Sequence, residues 1–322
     1  MTPAGHTADG TPVEAITLSA GELTVTFLTL GAILQSVRLA GVDHDLTLGS
    51  TDIADYERGG MHYFGAVVGP VANRFAGAQA PLGGEMRRFE ANQDGKHLLH
   101  SGSVGTWGKI WRVAERRDDA VTFALDLPDG EGNFPGNRHL EARFEVRAPA
   151  TLAMTLTATS DALTFMNMTN HSYWNLDGSE DWAGHRLRVD AERYMPVDAD
   201  AAPTGEVREV AGTTFDFRTE KPLERDDPAL DHNFCLSDGR RPLREVLRLE
   251  GASGVAMTMA TTEPGMQVYD GRDGIRPGHG PFEGLAIEAQ GWPDAPNHAG
   301  FPSIELAPGE TYRAETEWTF TR

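Results

Sequence analysis

Two stretches carry side chains suited to moving protons on a polar substrate. The first is Asn170-His171-Ser172-Tyr173-Trp174-Asn175-Leu176, closing an alternating run that begins near Leu163. A period of two puts Phe165, Asn167, Thr169, His171 and Tyr173 on one strand face, so an imidazole and a phenol project together. An imidazole titrates near neutrality and can hand a proton to a substrate oxygen. The second is Gly284-Leu285-Ala286-Ile287-Glu288-Ala289-Gln290, where Glu288 is the one charge in an apolar strand. Burial there would raise its pKa and make its ionised form a stronger base. Each has a plainer explanation as well, a satisfied core histidine and an edge-strand carboxylate facing water.

Polar groups able to hold a substrate recur elsewhere. Asn73 and Arg74 end an apolar run, and a guanidinium beside an amide offers several directional donors. His100 sits in Lys96-His97-Leu98-Leu99-His100-Ser101. Asp231 opens Asp231-His232-Asn233-Phe234, and Gln267 shares a face with Tyr269 in Pro264-Gly265-Met266-Gln267-Val268-Tyr269. His97 and His100 lack the further ligands of a zinc motif, so no metal is expected. Phosphate-loop and G-x-S-x-G signatures are absent as well.

The elements that must position these groups read as strands. Leu23 to Leu28, Ala120 to Leu125, His139 to Val146, Thr151 to Leu156, Val255 to Thr261, Met266 to Tyr269, Leu285 to Gln290 and Thr311 to Phe320 alternate or nearly so, bounded by Gly, Pro, Asp or Asn. The run from Pro128 to Gly136 is turn chemistry between two of them. Helical periodicity is confined to Asp52 to Glu57. Many strands without intervening helices imply an all-β fold, a large antiparallel β-sandwich. A length of 322 residues with 39% hydrophobic content can bury a sizeable core, and nothing resembles a linker, so residues 1–322 are expected to form one domain.

Against 48 acidic residues stand 28 basic ones, a net charge of −20, with Lys96, Lys109 and Lys221 the only lysines. Such a surface repels nucleic acid and anionic membrane. The single cysteine, Cys235, lies in an apolar run and reads as a buried hydrophobe. No signal peptide or membrane span is evident, so a cytoplasmic protein, monomer or homodimer, is expected.

Taken in order, Ala72-Asn73-Arg74, Leu99-His100, Asn170 to Leu176, Asp231 to Phe234, Pro264 to Tyr269, Glu288 to Asn297 and Pro308 to Tyr312 resemble the motifs of the aldose 1-epimerase (galactose mutarotase) family. The resemblance implies a galactose mutarotase-like supersandwich, a free aldose as substrate and no cofactor. It assigns Glu288 as the base at the anomeric hydroxyl and His171 as the acid at the ring oxygen, with activity falling on the acid side as the base takes a proton. Asn73, Arg74, His100, Tyr173, Asp231 and Gln267 would hold the sugar hydroxyls, and Trp174 and Trp292 could offer apolar surface to a sugar face. Pro70, His97 and Ser101 depart from the family pattern. Competing expectations are a non-catalytic carbohydrate-binding or regulatory module, a sugar-phosphate 1-epimerase, and a glycosidase using Asp231 with Glu288.

Overall fold

A computed structural model describes residues 1–322. Three antiparallel sheets dominate. A nine-stranded sheet runs, in spatial order, through Arg112–Arg116, Ala120–Leu127, Arg138–Arg147, Thr151–Ser160, Tyr312–Thr321, Ala256–Thr261, Arg244–Glu250, Arg186–Val189 and Lys221–Pro222. Facing it lie a four-stranded sheet (Thr2–His6, Pro12–Ala20, Leu23–Leu28, Leu34–Leu39) and a six-stranded sheet. The latter is ordered Tyr173–Trp174, Leu285–Gln290, Gly265–Tyr269, Asp231–Cys235, Arg193–Met195, Arg208–Glu209.

Strict alternation explains the stacking. In Arg138–Arg147 the residues Leu140, Ala142, Phe144 and Val146 are buried, and His139, Glu141, Arg143 and Glu145 are not. Two sheets with one apolar face each can hide both only against each other. The resulting core of 54 buried residues draws on all three sheets. Phe27 of the four-stranded sheet meets Phe144 at 4.4 Å between ring centroids, and Trp174 of the six-stranded sheet packs on Phe320 at 5.7 Å. An α-helix forms only at Ile53–Arg58, where the Asp52 side chain accepts from Ala54 N and caps the first turn. No helix is long and apolar enough to cross a membrane.

The antiparallel sandwich expected from the pattern is present, and most of the expected strands lie within a residue or two of their observed bounds. Leu163 to Tyr173 is a correction. It is three separate two-residue strands, Thr164–Phe165, Thr169–Asn170 and Tyr173–Trp174, paired with three different partners. Between them the backbone is held by other groups, as in Met166 N to Ile304 O and Asn167 N to Pro70 O, both of which are long-range. Parity survives only locally: Phe165 packs in a separate apolar cluster, while His171 and Tyr173 stay together, 5.2 Å between centroids. The edge-strand alternative for Glu288 fails too. Leu285–Gln290 is an interior strand with all six residues buried.

Candidate active site

The six-stranded sheet sends Leu285, Ile287, Met266, Val268 and Phe234 into the core. Its opposite face therefore carries Glu288, Gln267, Tyr269, Asp231 and Asn233, and the register aligns Glu288 with Gln267, Gln267 with Asn233, and Tyr269 with Asp231. Tyr173 is added beside Ala286. Loops from the first third of the chain roof this face and enclose a cavity of about 290 Å³, lined among others by Asn73, Arg74, His100, His171, Asp231 and Glu288.

The roof is held by backbone in left-handed conformation. Asn73 (φ 60°) and His100 (φ 50°) face one another. His100 N donates to Asn73 O at 2.9 Å, and Asn73 N donates to His100 Nδ1 at 3.1 Å. Arg74 is clasped from two sides, its Nε donating to Gln93 at 2.8 Å and its Nη2 lying 3.3 Å from Asp231 Oδ2. Asp294 ties this roof to the Glu288 segment, since Asp294 N donates to Arg74 O at 3.1 Å and its carboxylate accepts from Ala76 N at 3.0 Å.

Glu288 and His171 meet at the centre, with Glu288 Oε1 3.5 Å from His171 Nε2. Both are nearly inaccessible, at 2% and 4% exposure. Burial pushes the Glu288 carboxyl up to about 8, helped by the Asp231 charge and opposed by Arg74. Burial also drives the His171 imidazole down to about 4. Close to neutrality the pair therefore holds one proton, resting mainly on Glu288 with His171 neutral and in reach of it. The His100 pKa falls well below its ordinary value, again chiefly through burial, with His171 and Arg74 adding to the effect.

His100, His171 and Glu288 place ligand-type atoms within 4.8 Å of one another, a set that by composition would suit a divalent cation. The tautomer of His100 argues otherwise. Its Nδ1 accepts the Asn73 N–H, so in the neutral ring Nε2 carries the hydrogen and neither nitrogen offers a free lone pair. His100 thus brings an N–H donor to the cavity lining.

All the nominated residues line the cavity except Gln267, which lies beneath and donates to Asp231 Oδ1 at 2.6 Å. It fixes the carboxylate whose other oxygen meets Arg74. Trp174 and Trp292 do not line the cavity: Trp174 is in the main core and Trp292 packs on Phe301, 5.0 Å between centroids. The aromatic walls are Tyr63, Phe64, Tyr173 and Tyr269. Tyr63, which sequence reading passed over, packs against His100 at 4.6 Å and His171 at 5.7 Å. It sits in a loop with no alternation to mark it. Asp273 and Gly274 also line the cavity; a Cβ at Gly274 would stand 2.9 Å from the Tyr173 ring, so the loop can lie against that ring only as glycine.

The three departures from the family pattern serve the roof. Ser101 Oγ accepts from Val71 N and donates to Val71 O, at 2.9 and 3.0 Å, His97 Nδ1 accepts from Gly77 N at 3.2 Å, and Pro70 O accepts from Asn167 N. None of them lines the cavity. A larger polar cleft of about 570 Å³ lies across the 271–283 segment and contains none of the nominated residues. Its buried Glu283 is already paired with Arg276.

The family model described as aldose 1-epimerase matches residues 14–319. An aldose 1-epimerase of Escherichia coli K12 is 33% identical, covering 97% of this chain and 96% of that protein. A mouse galactose mutarotase is 32% identical, over 97% and 95% respectively. Among solved structures, an aldose epimerase homologue from C. elegans superposes with a TM-score of 0.87 at 29% identity over 96% of this chain and 99% of that one. A galactose 1-epimerase from Lactobacillus acidophilus superposes with a TM-score of 0.85 at 30% identity, over 98% and 96%. With the family model matching most of its length and full-length relatives above 30% identity, the chain belongs to the aldose 1-epimerase family.

Proposed function

We propose that the protein is a cofactor-independent aldose 1-epimerase, an isomerase acting on a free aldose, with Glu288 and His171 as its base and acid. The observation that carries this reading is the 3.5 Å contact between Glu288 Oε1 and His171 Nε2 inside a sugar-sized cavity. The anomeric hydroxyl and the ring oxygen share one carbon, so two groups this close can address both at once. From the minor arrangement of the one-proton pair, with Glu288 ionised and the proton on His171, Glu288 takes the hydroxyl proton as the C1–O5 bond breaks, and His171 delivers its proton to O5. The open aldehyde then turns about C1–C2, and reclosure with the roles exchanged gives the other anomer. Total charge is unchanged, which suits a buried site. Each positioned group contributes roughly 10²–10⁴ in rate.

Arg74, His100 and Asn73 supply donors to the hydroxyls, and Asp231 supplies an acceptor held by Gln267 and Arg74. The whole chain acts as one unit in this reading, since cavity residues come from segments between Gly60 and Glu288 and the core spans three sheets.

The substrate is an uncharged sugar. Asp231 and Asp273 line the cavity with a single guanidinium, Arg74, already engaged by Asp231. A phosphate dianion would meet net repulsion there, strengthened by a chain charge of −20. Polarimetry on freshly dissolved α-anomers of glucose, galactose, xylose and arabinose is expected to show acceleration for at least one. The 6-phosphate of a turned-over hexose is expected to fall in kcat/KM by roughly tenfold or more, the deficit narrowing as salt is raised. Failure to accelerate any neutral aldose would refute the function, and a preferred phosphate ester would refute the charge argument.

A further inference from the structure

One group of polar atoms behind the acid–base pair has no part in the reaction as described. The second oxygen of Glu288, Oε2, is buried without a hydrogen-bond partner in the protein, and so are both amide atoms of Gln290 and the carbonyl oxygen of Asn233. Gln290 is wholly inaccessible at 0% and Asn233 is 2% exposed. Gln290 follows Glu288 by two residues and so shares its strand face, about 7 Å along the chain. Asn233 is two strands away, paired with Gln267, and its side chain leans over Gly265, which pairs with Gln290. Its Oδ1 lies only 2.5 Å from where a Cβ on Gly265 would stand. Only glycine at 265 leaves room for the Asn233 amide to lie beside the strand of Gln290.

An unpartnered buried polar group costs about 1–3 kcal/mol, and native interiors meet that cost with internal water making about three hydrogen bonds. The chemistry here matches one such molecule. With the carboxyl ionised, Glu288 Oε2 and Asn233 Oδ1 are acceptors, and Gln290 Nε2 is a donor. A water that accepts once and donates twice satisfies all three.

We propose that Gln290 is a positioning residue for Glu288, acting through one internal water that accepts from the Gln290 amide and donates to Glu288 Oε2 and Asn233 Oδ1. The inference rests on the assignment of Glu288 as the base. Its effect is twofold: Oε1 is kept turned toward His171, and the ionised carboxylate gains a donor on its inner side. The other titratable or charged groups lining the cavity with Glu288 are His62, Tyr63, Arg74, His100, His171, Tyr173, Asp231, Tyr269 and Asp273. Among these, Asp231 raises and Arg74 lowers the Glu288 pKa, and neither reaches the inner oxygen.

The test is Gln290→Leu, which keeps the bulk and removes the donor. Losing a bond to the charged form disfavours ionisation, so the alkaline limb of the pH–rate profile is expected to move up by about one pH unit. The kcat value is expected to fall roughly tenfold and KM to stay within about twofold, because the sugar contacts are untouched. Carbon-13 NMR of the Glu288 carboxyl should show the same upward shift without reference to turnover. Should the leucine variant fold poorly, Gln290→Met and Asn233→Ser each remove one arm of the bridge and are expected to move the limb the same way. A folded variant with an unmoved limb and unmoved carboxyl titration overturns the proposal. If Glu288→Gln also keeps full activity, the base assignment has failed, which is a separate result.

Discussion

Glu288→Gln is expected to lower kcat for aldose mutarotation by roughly 10²–10⁴ while leaving the fold and sugar affinity largely intact. The amide matches the carboxyl in size and can still accept from a hydroxyl, but it cannot take the proton. A variant within a few-fold of the parent rate would remove Glu288 from the base role. The same substitution has a stability signature with a definite sign. The folded carboxyl titrates at about 8 against an ordinary value of 4.5, so between those values the folded state binds more protons than the unfolded one. Wild-type stability then declines as pH rises through that window and levels off above it. Glutamine carries no such dependence. The melting temperature of Glu288→Gln should rise relative to wild type between pH 5 and pH 9, and a pH-independent difference would mean that the carboxyl is not held in a desolvated site.

His171→Asn is the second large effect, again roughly 10²–10⁴ in kcat, because asparagine can hydrogen-bond to O5 but cannot deliver a proton. Its counterpart in the wild type is a bell-shaped kcat/KM profile. The pair holds one proton between about 4, where the imidazole takes a second, and about 8, where the carboxyl loses the last. Below the window no base remains, and above it no acid. The acid-side loss expected from an ordinary carboxylate is therefore displaced: burial moves the carboxyl to the alkaline limb and leaves the acid limb to the pair's second proton. A monotonic rise to pH 10, measured by polarimetry with the spontaneous rate subtracted, would contradict a proton-sharing pair. His171→Asn should abolish the bell even where residual rate is measurable.

The strands that carry the site were legible because a side-chain period of two is written into neighbouring residues. Leu285–Gln290 is bounded as its alternation indicates, and the Asp231, Gln267 and Glu288 faces follow from parity. The run from Leu163 to Tyr173 misled for the same reason. Its alternation continues across two points where the backbone leaves one partner for another, and partner choice is not encoded in period. Tyr63 was invisible because a loop residue has no periodic signal. Gln267 and the two tryptophans were nominated by chemical type, and their surroundings determine what that chemistry does: Gln267 is spent on Asp231, and Trp174 on the core.

By itself the sequence determined the all-β architecture, the family, and which residue types stood ready for proton transfer and hydroxyl recognition, since these follow from local alternation and from short motifs in order. Only the tertiary structure decided that Glu288 and His171 touch, that both are dry, and that their proton affinities are displaced in opposite directions. Those properties depend on two segments 117 residues apart sharing one cavity under a roof from the first third of the chain. Desolvation is set by everything that covers a group, and no neighbour in sequence reports it.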